Sequence, residues 1–187
     1  MAIEGLGDFN LAGGTALSLQ IGHRTSYDLD FFATATISME EVVSIVHDYR
    51  PFQEMHRTEN IVVLDMEGIK VDFVNYRYPL IGNLRLEEEI RLLSLEDIAA
   101  MKIDAIKGRG RKRDFYDLYF LLKRFELGPM LELHRKKYQQ DTRFLIMKSL
   151  IFFDDADHDA PVVLQEDDIT WEEVKETIRY YVSKALP

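Results

Sequence analysis

"IVVLDMEGIKVDFVNY", running from Ile61 to Tyr76, constrains the fold more than any other stretch of the chain. Apolar and polar residues alternate on both sides of Glu67-Gly68, a dipeptide suited to the two-residue turn of a hairpin. With that turn the register follows. Asp65 pairs with Lys70, Leu64 with Val71, Val63 with Asp72 and Val62 with Phe73. Leu64, Val71, Val62 and Phe73 then form an apolar face, and Asp65, Lys70 and Asp72 lie on the other. A cross-strand ion pair accounts for Asp65 and Lys70. It leaves Asp72 opposite Val63 with no local partner.

A second strand carries acid in the same way. In "SYDLDFFA" Asp28 and Asp30 share one face, and Leu29 and Phe31 the other. Upstream, "FNLAGG" reads as a short strand ending in a glycine turn, and "TALSLQI" as one or two helical turns. Ser38 caps a helix running to about Tyr49, which Pro51 ends. From residue 94 the signals are helical. Ser94 opens "SLEDIAAMKIDAIKGRG", which fades at Gly108 and Gly110, and "RDFYDLYFLLKRFELGP" follows and stops at Gly128-Pro129. Pro129 starts a helix to about Gln140, Asp141 caps another over residues 143–153, and Thr170 with Glu173 boxes the start of a last one through Leu186. Strands come first and helices follow. This is an α+β chain with a small mixed sheet flanked by helices and a helical C-terminal half. The expected division is a core over residues 1–93 and a helical lobe over 94–187, packed as one structural unit.

With 187 residues the chain has room for one real core. It has no cysteine, which excludes disulfide staples and thiolate metal sites. No leader-like N-terminus or membrane-length apolar run is seen, so the protein is expected to be soluble and cytoplasmic. A net charge of −10, from 33 acidic and 23 basic residues, disfavours general attraction to polyanions. The charge is uneven. "KGRGRKR", Lys107 to Arg113, holds five cations in seven residues, and "DDADHD", Asp154 to Asp159, holds four carboxylates in six. The acidic run reads as a solvated loop, with His158 as a weak metal candidate.

Asp28, Asp30 and Asp72 are expected on the site-facing sides of neighbouring strands. Three converging carboxylates do not all ionise unless a cation balances them. Magnesium, one ion or two, suits such oxygen donors and shares its shell with substrate phosphates. Gly13 and Gly14 sit between a strand and a helix. The missing Cβ there lets a triphosphate approach the backbone, and the helix N-terminus favours its charge. Thr15 adds a hydroxyl.

An apolar residue, Gly-Gly, a thirteen-residue spacer, Asp-x-Asp and a later single Asp together resemble the polymerase-beta type of nucleotidyltransferase. More narrowly, "GGTALSLQIGHRTSYDLDFF" looks like the first motif of the AbiEii/AbiGii toxin group, and "MKIDAIKGRGRKRDFYDLYFLL" like its later motif. The resemblance implies a magnesium-dependent enzyme that moves a nucleoside monophosphate from a triphosphate to a macromolecular acceptor, tRNA or protein. It also implies a toxin of a type IV toxin–antitoxin or abortive-infection system, with a cognate antitoxin. Carried over, Gly13, Gly14 and Thr15 hold the triphosphate, Asp28 and Asp30 hold metal, and Asp72 completes the metal site or acts as base. Lys102 neutralises phosphate charge, Asp114 and Asp117 build the nucleotide pocket, and Ser26 touches phosphate or is itself modified.

The residues by themselves leave some of these roles open. Asp114 and Asp117 share a face in a first helical turn, where the dipole alone favours carboxylates. Lys102 interrupts an apolar stripe, either snorkelling or aimed at phosphate. His23 and Arg24 read as surface residues within reach of phosphate or a nucleic-acid backbone, and the Lys107–Arg113 loop as a guide for RNA. The alternatives are a nucleotide- or partner-binding module without turnover, and a metal-dependent phosphohydrolase, which no histidine and aspartate cluster favours.

Overall fold

The hairpin forms in the register its sequence specifies. In the computed structural model, which describes residues 3–165 and 168–185, Asp65 pairs with Lys70, Leu64 with Val71, Val63 with Asp72 and Val62 with Phe73. Glu67 and Gly68 both take positive φ, 56° and 84°, as the tight turn requires. Met66 and Ile69 close the ladder against it.

The strands are β1 (Asn10–Ala12), β2 (Leu29–Ala33), β3 (Gln53–Arg57), β4 (Ile61–Met66), β5 (Ile69–Asn75), β6 (Arg85–Glu87) and β7 (Ile90–Leu92). They form one sheet in the order β3-β4-β5-β2-β1-β7-β6. The sheet is mixed: β2 runs parallel to β5 and β1 to β7, and the remaining pairs are antiparallel. Helix α1 (Gly13–Ile21) leaves the end of β1, and α2 (Met39–His47) starts at Ser38, whose hydroxyl accepts the Glu41 amide at 3.4 Å. Met39, Val42 and Val46 of α2 join Val62, Leu64, Val71, Phe73, Phe9 and Leu6 in one buried cluster. Phe73 lies edge-on to Phe9 at 5.1 Å and stacked with Phe31 at 5.4 Å. Strand alternation therefore sends Leu29, Phe31, Val71 and Phe73 into the core and Asp30 and Asp72 to the opposite face.

The chain divides into two compact units. The sheet and α2 belong to the first, Met1–Leu19 with Ser26–Ser94; the second is Gln20–Thr25 with Leu95–Pro187. The last two residues of α1 and the four that follow it thus count with the helices. The second unit holds α3 (Leu95–Arg109), α4 (Lys112–Leu122), α5 (Leu127–Tyr138), α6 (Arg143–Leu150), the single turn α7 (Asp154–Asp157) and α8 (Trp171–Ala185). Leu186, the last residue of the expected final helix, lies outside the described residues. Helix α3 packs against α4, α5 and α6, and α8 against α4, α5 and α6. Buried Ile98, Ile103, Leu118, Leu121, Met130, Leu150, Val174 and Ile178 fill the space between them.

Three boundaries differ from expectation. Helix α4 stops at Leu122, and Gly128-Pro129 lies in the first turn of α5, where proline's missing N–H costs nothing. Helix α6 ends at Leu150. The acidic run is largely exposed, as expected, but it is not a loop: α7 forms there, Asp157 accepts from Trp171 Nε1 (2.5 Å) and Lys175 Nζ (3.2 Å), and Asp159 accepts from Arg111 Nη1 (2.8 Å) and the Lys112 amide (2.9 Å). The Trp171 hydrogen bond is the first cause holding the Asp157 carboxyl below its ordinary range. The basic run is correspondingly not a free loop. Only Gly110 and Arg111 separate α3 from α4, Lys107 pairs with Asp104 at 2.5 Å, and Lys112 Nζ donates to the Asp157 and Asp159 carbonyls.

Candidate active site

Two groups of predicted residues take shape, one in each unit. In the first, β1 ends at Ala12 beside Asp30 of β2, and the chain turns into α1 through Gly13 at φ +65°. A Cβ on Gly13 would run into the Asp30 carboxylate. Glycine is therefore required twice over, by its backbone conformation and by the acid packed against it. Asp30 and Asp72 are register partners across the parallel pair β2–β5, so both project from the face opposite the core. Asp28 is the residue just before β2. The Thr15 hydroxyl, buried at the start of α1, lies 2.9 Å from Ser26 Oγ and against the Asp28 carbonyl oxygen. With one proton to give, Thr15 donates to that carbonyl and accepts from Ser26. Thr15 thereby ties the approach to β2 onto the glycine bend.

Lys70 does not pair with Asp65. Its ammonium bonds Asp72 Oδ2, two residues along the same strand face, and Asp65 Oδ1 instead accepts the Gly68 amide at 2.9 Å within the turn. The turn's unpaired N–H claims Asp65 first, which releases Lys70. Asp72 Oδ1 is buried without a hydrogen-bond partner, a condition worth about 1–3 kcal/mol against the fold. Among the described residues, no three His, Cys, Asp or Glu side chains form a ready metal cage. Asp72 is balanced by Lys70. The donor set still fits a hard divalent cation, since it is all carboxylate oxygen and includes an orphaned buried one.

The second group is centred on Asp117, which is wholly buried. Asp117 lies in the second turn of α4, not the first, so the helix dipole does not explain it. Arg24 engages it as a fork, Nε to Oδ1 at 2.6 Å and Nη2 to Oδ2 at 3.0 Å. His23 Nε2 lies 2.7 Å from Oδ1, and Lys102 Nζ 2.6 Å from Oδ2. His23 and Arg24 are buried, contrary to the surface positions expected of them. His23 Nδ1 is buried with no partner, so the ring's proton sits on Nε2 and points at Asp117. The second carboxylate, Asp114, accepts from Lys102 Nζ at 2.8 Å and from the Arg111 amide at 3.2 Å. Asp114 lies in the first turn, where the dipole favours a carboxylate, and its bond to the N-cap amide adds a capping contact the sequence reading does not include.

Lys102 therefore does not snorkel. Burial pulls its pKa down, but Asp117 and Asp114 outweigh burial and raise it, so the ammonium stays charged. Burial opposes ionisation of Asp117, yet Lys102, His23 and Arg24 together hold its carboxyl far below the usual range. Two carboxylates face two fixed cations, close to local neutrality.

Other buried charges carry no sequence signal. Lys137 and Asp97, both fully buried, pair at 2.7 Å and join α5 to α3. Buried His134 meets Asp104 at 3.0 Å. Each falls at a helical position that pattern alone assigns to core or surface, and the partner is on a different helix.

The family model for the nucleotidyl transferase AbiEii toxin of type IV toxin–antitoxin systems matches residues 5–184. An uncharacterised protein of Aquifex aeolicus (strain VF5) is 35% identical over 185 residues, covering 96% of this chain and 88% of that one. Among solved structures, JHP933 from Helicobacter pylori superposes with a TM-score of 0.58 at 22% identity, over 95% of this chain and 83% of that one. MenT4, a nucleotidyltransferase toxin from Mycobacterium tuberculosis H37Rv, does so with a TM-score of 0.58 at 16% identity, over 96% and 76%. These likenesses agree on the fold, a mixed sheet with a helical second half. A match from residue 5 to residue 184, spanning both the Gly-Gly to Asp-x-Asp segment and the helices that carry Lys102 and Asp117, places the chain in the AbiEii nucleotidyltransferase toxin family.

Proposed function

We propose that the protein transfers a nucleoside monophosphate from a nucleoside triphosphate to a macromolecular acceptor, tRNA or protein, in the cytoplasm, as the toxin of a type IV toxin–antitoxin pair. The observation that carries this is the Gly13 bend packed on Asp30, with Asp30 and Asp72 side by side in register. Gly13 and Gly14 present backbone to the phosphates, and the Thr15 hydroxyl and Ser26 steady the turn. Asp28, Asp30 and Asp72 would hold one or two magnesium ions. When bound, such ions neutralise phosphate charge and orient the attacking and leaving oxygens. The orphaned Oδ1 of Asp72 supports that assignment, and Lys70 keeps Oδ2 occupied until a stronger cation competes. Lys102 acts as a fixed cation and not as a proton donor, because its two carboxylate partners keep it charged. Asp114 holds that ammonium in direction.

The Lys107–Arg113 segment supports an RNA acceptor less than its composition does, since Lys107, Arg111 and Lys112 already face acids or carbonyls of their own chain. The test is incorporation of each labelled ribonucleotide into tRNA or protein, with and without magnesium. Wild type should label one acceptor class, and Asp30→Ala should lose at least about a hundredfold in rate while folding normally. Labelling by the variant at the wild-type rate, or none by wild type, would overturn the reading.

A further inference from the structure

Resting on that reading, we infer that Asp117 is a positioning residue. It fixes the segment Gln20–Thr25 through His23 and Arg24 and does not touch the nucleotide.

Chain order makes the segment important. It includes the end of the helix that opens with Gly13, Gly14 and Thr15, and it directly precedes Ser26, Asp28 and Asp30. Yet it belongs with the helical unit. Four contacts put it there: the Arg24 fork and the His23 bond to Asp117, the Thr25 amide to the Val163 carbonyl at 2.9 Å, and the Gln165 amide to the His23 carbonyl at 3.1 Å. The two backbone bonds flank Arg24, which forms a bridge with Leu164. The Asp117 carboxylate is shared by His23 and Arg24.

The geometry leaves Asp117 nothing to offer a ligand. Its oxygens already accept from Arg24, His23 and Lys102, and the residue has no exposed surface. A nucleotide contact would require one of those cations to leave a site that excludes water. Held as it is, the carboxylate fixes His23 and Arg24, which directly precede Thr25 and Ser26. A small misplacement of reacting groups costs about a hundredfold in rate, so the effect belongs in kcat and not in nucleotide affinity.

Asp117→Asn keeps the shape but turns an NH2 toward the donors of Arg24 or Lys102. The experiment combines that variant with Arg24→Gln in a double-mutant cycle. It reads kcat and KM for the nucleotide, and the exchange of the Thr25 and Gln165 amides with deuterium. The expected result is a fall in kcat of about tenfold to a hundredfold, KM within about threefold of wild type, and a double variant no worse than the poorer single one. Thr25 and Gln165 should exchange at least tenfold faster in Asp117→Asn. Unchanged exchange, or losses that multiply together with a raised KM, would overturn the inference. Should Asp117→Asn not fold, His23→Gln and Arg24→Lys, which leave the carboxylate in place, take its part in both measurements. If wild type labels nothing, the proposed function fails and the exchange measurement still decides the positioning role.

Discussion

Lys70 and Asp72 stand two residues apart on one face of β5, and the lysine ammonium occupies Oδ2 of the acid whose Oδ1 is buried without a partner. A divalent ion at Asp72 therefore competes with a cation supplied by the strand itself. Lys70 is about half exposed, 48%, so the competition is weak; exposed pairs contribute about 0.2–1 kcal/mol. Lys70→Met should tighten manganese or magnesium binding by up to about fivefold, measured by titration calorimetry. Looser binding would mean that Lys70 assists the ion.

Gly13→Ala tests the bend. The substitution forces a side chain into left-handed backbone and against the Asp30 carboxylate. It should cost roughly 1–3 kcal/mol of stability, a fall in Tm of several degrees, and a larger loss of activity than of stability. Gly68→Ala, also at positive φ but with open space around it, should lower stability alone.

The buried pair Lys137–Asp97 separates the cost of burying charge from the value of pairing it. Lys137→Met should destabilise by about 3–5 kcal/mol, because the buried Asp97 carboxylate then loses the ammonium bonded to it at 2.7 Å. Adding Asp97→Leu should recover most of that loss, since the double variant buries apolar groups where two ions stood. Chemical denaturation of the four proteins gives the coupling directly. Equal losses in the single and double variants would show that shape at this contact outweighs charge.

Acid should act on Asp117 late. Its folded-state carboxyl titrates well below the unfolded value of 3.8. Its contribution is therefore complete above about pH 4 and is lost as pH falls below that toward the folded value. Lys102, raised above 10.5, contributes fully below that value and loses its share as pH rises through the folded one. Between these limits Asp117 and Lys102 add no pH dependence. A plot of Tm against pH for Asp117→Asn should lose slope on the acid side relative to wild type, and Lys102→Met should lose it on the alkaline side.

The hairpin was legible because turn chemistry and alternation are local, and Val62 to Phe73 needs only the twelve residues that contain it. The Gly-Gly to Asp-x-Asp segment was legible for the same reason. Asp30 beside Asp72 was harder, since parallel pairing joins strands that no turn connects. His23 and Arg24 are buried where the sequence points to the surface: their bonds to Asp117 span 94 and 93 residues of chain, and a polar stretch such as "GHRTS" carries no period to reveal which side is covered. Lys70 shows a smaller failure of the same kind. Cross-strand position pointed to Asp65, but the turn amide had the prior claim on that carboxylate.

Because Gln20–Thr25 is counted with the helices while its sequence neighbours are counted with the sheet, the polypeptide passes from one unit to the other three times, after Leu19, after Thr25 and after Ser94. No single cut separates them. A fragment ending at Ser94 would keep an arginine and a histidine stripped of their counter-charge, and its complement would keep a sequestered anion with one ammonium in place of three donors. Each half is thus the other's missing piece, and dissection of the molecule has to proceed by exchanging side chains, not by trimming its length.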